Sequence, residues 1–95
     1  MKNKDILTEI GIGVYLKEDY PKILAMSVDK NKMNPTWEEW KVKKEILKLT
    51  LSRKGIHTID ILVKPDELAK YCKQNQLSVE GASRAQYVQH LVSNL

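Results

Sequence analysis

Apolar positions along the chain recur with two periods. Between residues 37 and 54 they fall at helical spacing. Taken at about 100° per residue, Trp37, Trp40, Leu47 and Leu51 share one side, while Val42, Ile46 and Leu49 lie nearly opposite, close to Arg53. The next segment, Ile-His-Thr-Ile-Asp-Ile-Leu-Val at residues 56–63, alternates instead: His57, Ile59, Ile61 and Val63 point one way and Ile56, Thr58, Asp60 and Leu62 the other. The first period predicts the longest helix and the second a strand whose His57-to-Val63 side meets the core. A helix apolar on two sides is normally sandwiched, so other elements of the chain are expected to cover both flanks, with a second copy of the protein as the alternative.

The ends of the long helix carry their own signals. The hydroxyl of Thr36 can accept a bond from an unpaired first-turn amide, and Glu39, three residues on, completes a capping box. Glu38 and Glu39 sit at the positive end of the helix dipole and Arg53 and Lys54 at the negative end. Gly55 suits the left-handed position that closes a helix.

Upstream, residues 1–5 are polar and are expected to fray. Ile10, Ile12 and Val14 alternate with Gly11, Gly13 and Tyr15. This allows a strand over 10–16 with a bare side where another element packs closely; a short helix over 3–10 or an irregular lead-in is the alternative. Pro21 at a first helical position predicts a helix over 20–30 with Ile23, Leu24, Ser27 and Val28 as its stripe, ended by Asn31. Pro65, followed by Asp66 and Glu67, opens a third helix that stops near Asn75, with Leu68, Tyr71 and Cys72 inside. Ser78 is the expected cap of a fourth, reaching about Asn94, with Ala85, Val88, Leu91, Val92 and Leu95 inward. The expected fold is α+β: about four helices packed on a small two-stranded sheet, in one domain spanning residues 1–95. A strand over 56–63 needs a partner for its backbone groups. That partner is residues 10–16 of the same chain, with the same strand of a second copy as the alternative.

Several of these segments resemble a known group. Tyr20-Pro21-Lys22-Ile23-Leu24-Ala25, Pro35-Thr36-Trp37-Glu38-Glu39-Trp40, Gly55 before an apolar strand, Pro65-Asp66-Glu67-Leu68 with Tyr71-Cys72, and Ala82-Ser83-Arg84-Ala85-Gln86-Tyr87 follow one another. In that order they are similar to a family of short bacterial proteins with a domain of unknown function. The similarity spans the chain from about Gly11; Tyr71 stands where a tryptophan is expected before the cysteine. The resemblance implies a small bacterial cytosolic domain and hands over no site residues.

Charge changes the picture modestly. The net charge is +4, and all of it lies in residues 1–54, which carry 12 basic against 8 acidic groups, while residues 55–95 carry four of each. One cysteine cannot form an internal disulfide, which fits a reducing, cytoplasmic setting. The expectation for membranes is none, since no apolar run reaches 18 residues.

Candidate chemistry is sparse. Gly11-Ile12-Gly13 is not a dinucleotide fingerprint, because Leu16 occupies the third glycine position. Cys72 falls on an apolar helical stripe, which suits an inert thiol better than a nucleophile. His57 and His90 have no adjacent carboxylate to orient them, and Glu18, Asp19, Glu38 and Glu39 are accounted for by helix starts. No catalytic, cofactor-binding or metal-binding set is therefore assigned, and the expected function is a non-enzymatic interaction or regulatory module. The candidate partner surface is Trp37 and Trp40, neighbours on the helix surface, with Lys41, Lys44 and Lys48. Its expected partner is a second copy of the chain (a homodimer) or another protein. The alternative is nucleic acid, bound through stacking and the basic helix over 37–54.

Overall fold

The computed structural model describes residues 8–95. The fraying expected of residues 1–5, and most of the alternative helix over 3–10, lie outside those residues. In order the elements are strand β1 (Thr8–Val14), helix α1 (Tyr20–Met26), a 3₁₀ turn (Lys30–Lys32), helix α2 (Trp37–Arg53), strand β2 (Ile56–Leu62), helix α3 (Pro65–Gln74) and helix α4 (Gly81–Val92). The fold is α+β, with four α-helices and a two-stranded sheet among the described residues.

The two strands of one chain pair in parallel, Thr8 beside Ile56 through Val14 beside Leu62. Parallel strands need a long crossover, and residues 15–55 supply it, with α2 running back against β2. Gly11 and Gly13 occupy the bare side anticipated from their alternation. A Cβ on Gly11 would stand 2.5 Å from Val92 Cγ2 and 3.1 Å from Val88 Cγ1, and one on Gly13 2.9 Å from Val88 Cγ2. The missing side chains let α4 lie directly on β1.

The core is Ile23, Ile61, Val63, Leu68, Cys72, Tyr87 and Val88. It unites α1, α3 and α4 on the Ile61–Val63 side of β2, the side expected to be inward. His57 shares that parity but is exposed at the strand's first turn of pleat. Helix α2 contributes no fully buried residue.

Local chemistry explains the boundaries. The Thr36 hydroxyl accepts from the Glu39 amide at 3.2 Å, and Gly55 has φ +79°, so α2 starts and ends where its signals placed it. Helix α1 is shorter than its stripe implied. The Ser27 hydroxyl donates to the Ile23 carbonyl at 2.7 Å while the Ser27 backbone turns extended, and Val28 is 66% exposed. The Val28 amide instead donates to Val79 at 2.8 Å, so a tertiary bond replaces the next helical one. Ser78 does not cap α4. Glu80 does, in a reciprocal capping box with Ser83, and the helix ends at Val92, leaving Ala85 and Leu95 exposed.

Candidate functional site

The side of α2 that carries the two tryptophans packs against the start of the crossover. The Trp37 indole donates to the Tyr15 carbonyl at 2.9 Å. The Trp40 ring lies 5.0 Å from that of Tyr15 and 5.9 Å from that of Tyr20, and the Tyr20 hydroxyl donates to the Asn34 carbonyl at 2.6 Å. Burial pushes the Tyr15 and Tyr20 phenols above their ordinary values. Trp37 and Trp40 are thus half-buried: each presents one part of its ring to the domain and the rest to solvent.

The lysines of the same helix are largely engaged with these rings and with β2. Lys41 Nζ stands 5.1 Å from the Trp37 ring centre and Lys44 Nζ 5.3 Å from that of Trp40. The Lys44 side chain is only 12% exposed and also pairs with Glu45 at 3.1 Å. Lys48 Nζ bonds Asp60 at 2.9 Å, which raises the lysine above its ordinary value. Structure therefore brings Trp37, Trp40, Lys41, Lys44 and Lys48 together along one side, as spacing implied, and turns Trp40, Lys44 and Lys48 toward the domain.

The opposite side of α2 is different. Val42, Ile46 and Leu49 are 59%, 59% and 53% exposed. The expectation that the chain itself would cover both flanks is not met among the described residues, because α3 and α4 are spent on the other side of the sheet.

A cleft of about 560 Å³ opens where α2 and α4 flank β1, with Ile10, Gly11, Ile12 and Gly13 as its floor. Trp40, Lys43, Lys44 and Leu47 line one flank and Arg84, Ala85, Val88 and Gln89 the other. Arg84 is held there by Asp29. Its two terminal nitrogens donate to the two carboxylate oxygens at 2.9 Å each, and one also donates to the Ser27 hydroxyl at 2.9 Å. The Gly81 amide adds a bond to Asp29 at 2.9 Å, placing the carboxylate at the positive end of α4. The Arg84 guanidinium, bonded to the carboxyl, holds Asp29 below its ordinary value. Sequence reading missed this clamp: Asp29 and Arg84 are 55 positions apart, and no local pattern joins them.

The residues considered for chemistry do not converge on the cleft. Cys72 is 2% exposed in the core. His90 lies against Tyr71 and Tyr87, with ring centres 5.2 and 6.5 Å away, and His57 is at the far end of β2. Among the described residues no three His, Cys, Asp or Glu side chains are grouped to hold a metal ion. No described helix is long and apolar enough to cross a membrane. Among the described residues, the outer side of α2 and the cleft at β1 can each receive another molecule. Comparison with family models, curated proteins and solved structures finds no match.

Proposed function

We propose that this protein is a non-enzymatic interaction module that pairs with a second copy of itself through the outer side of α2. The observation that carries this reading is the stripe Val42, Ile46, Leu49, each more than half exposed on an otherwise regular 17-residue helix. Steps of four and three residues keep the stripe on one line, the spacing by which two helices interlock.

Self-pairing is favoured over a foreign partner because the stripe is complementary to itself, as a two-fold interface must be. Run antiparallel about a point between Glu45 and Ile46, the helix sets Val42 against the partner's Leu49. The same operation sets Glu38 opposite the partner's Arg53. The carboxylates of the first turn, Glu38 and Glu39, thereby meet the cations at the other end, Arg53 and Lys54, and the two helix dipoles oppose.

Sedimentation velocity across micromolar to submillimolar concentration tests this. A monomer–dimer equilibrium is expected in the native chain and its loss in Ile46→Glu, whose thermal unfolding stays close to native because the site is exposed. A native chain that remains strictly monomeric throughout that range would sink the reading.

A further inference from the structure

The cleft at β1 is a second surface, and its floor is backbone. In the parallel register the Val14 carbonyl accepts from the Val63 amide at 2.9 Å. A strand residue directs its amide and carbonyl to the same side, and the side alternates along the chain. Ile10, Ile12 and Val14 therefore spend their backbone groups on β2, and those of Gly11 and Gly13 face away from it, along the outer edge of the sheet. No turn, loop or cap bond engages these glycine groups among the described residues. The edge carries no lysine or proline between Thr8 and Val14, the residues by which exposed edges are usually blunted.

What surrounds that edge is selective. Ile10, 37% exposed, and Ile12 supply apolar floor beside Leu47. Three cations, Lys43, Lys44 and Arg84, line the cleft and no carboxylate does. Arg84 is neutralised by Asp29 and Lys44 is paired with Glu45, so among the described residues the uncompensated charge is that of Lys43, on the α2 flank. Its position along β1 follows from the register. Lys48 holds Asp60, which pairs with Ile12, and the Trp40 ring packs at a tilt against that of Tyr15. Lys44 and Lys43 lie between those two points, beside the Gly13 end, whereas Glu9 occupies the opposite end of the strand.

We infer that this edge takes an extended peptide segment as an additional strand, with apolar side chains at alternate positions and a carboxylate beside Gly13. Main-chain bonds to the amides and carbonyls of Gly11 and Gly13 supply attachment, and the side chains on the α2 flank supply choice. The apolar residues lie on Ile10, Ile12 and Leu47, and the carboxylate meets Lys43 and Lys44. The cleft volume is in the range of binding pockets, about 300–1,000 Å³. This inference does not rest on self-association through Val42, Ile46 and Leu49, which lie on another side of the helix.

The test uses the ¹⁵N-labelled full chain carrying Ile46→Glu, to keep it monomeric, and the blocked peptide acetyl-Val-Thr-Val-Thr-Glu-amide. Its first, third and fifth side chains share one side of an extended strand. Saturable shifts of the Gly11 and Gly13 amide signals are expected, with slowed exchange of both. Replacing the peptide's glutamate by lysine, or Lys43 by glutamate (K43E), weakens binding about fivefold, the scale of an exposed charge pair. N-methylation of the peptide at alternate amides, on the parity that faces the edge, abolishes it. Four results would overturn the inference. One is no shift at millimolar peptide. A second is shifts centred elsewhere. A third is equal binding of the lysine peptide. The last is Gly11 and Gly13 amides already protected without peptide, which would mean that the chain or a second copy covers the edge.

Discussion

The clamp between Asp29 and Arg84 offers the sharpest test of the energetic reasoning. It ties the segment after α1 to the first turn of α4 through paired bonds of 2.9 Å, and the two side chains are 13% and 18% exposed. Arg84→Met keeps the length and apolar stem but removes both guanidinium bonds to the Asp29 carboxylate, leaving it the bond from the Gly81 amide. Breaking a buried pair from one side costs about 3–5 kcal/mol. Here the abandoned carboxylate can still reach water, so the expected loss is about 2–4 kcal/mol. A chain of this size has a total stability of roughly 5–14 kcal/mol. At about 4–8 °C per kcal/mol, the melting temperature should fall by about 8–32 °C. Asp29→Asn keeps the shape and removes the charge. A double-mutant cycle over Asp29→Asn and Arg84→Met, read by urea unfolding with constant m-values, should give an interaction energy of at least about 1.5 kcal/mol. Additivity within about 0.5 kcal/mol would show that the two groups do not sense one another, and the argument for the clamp would fail.

Three further outcomes rest on the same packing. Because Asp29 sits below its ordinary value of 3.8 in the folded chain, its contribution is fully present above that pH and is lost as pH falls through the depressed folded value; acid unfolding followed by circular dichroism should show a shallower loss of stability in Asp29→Asn than in the native chain, and parallel curves would contradict this. Gly11→Ala forces a methyl to 2.5 Å from Val92 and 3.1 Å from Val88. Overpacking of about 1–3 kcal/mol outweighs the backbone gain of about 0.4–1 kcal/mol, so chemical denaturation should find the variant less stable, and a stabilised variant would mean that α4 does not lie so close. Cys72, 2% exposed, should react with a thiol reagent at least about 100-fold more slowly in the native chain than in urea, with rapid native labelling as the contrary result.

How much of this was legible beforehand depended on distance along the chain. The start and stop of α2 could be read from Thr36, Glu39 and Gly55 because a cap is formed by atoms within a few residues of one another. The same locality exposed Pro65 as the first residue of α3 and the alternation of β2 as a strand with Ile61 and Val63 inward. The candidate surface was only partly legible: spacing put Trp37, Trp40, Lys41, Lys44 and Lys48 on one side, but spacing cannot say which side of a doubly apolar helix the domain will use. Ser78 suits a cap by residue type alone, and no local signal there points to Glu80. Ser83, whose hydroxyl serves the Glu80 amide at 2.9 Å, decided otherwise.

The amino-acid sequence by itself therefore determined α2 with its ends, the strand β2, the Pro65 start of α3 and the α+β class, and it allowed a close approach at Gly11 and Gly13, since these follow from backbone stereochemistry and short-range bonds. Tertiary structure alone decided that β1 and β2 run parallel, that α4 is the element on the glycines, that Asp29 meets Arg84, and that Val42, Ile46 and Leu49 face outward. Each of those depends on contacts between residues far apart in the chain. Their selection is made by the packing of the whole core, and a local pattern has no term for it.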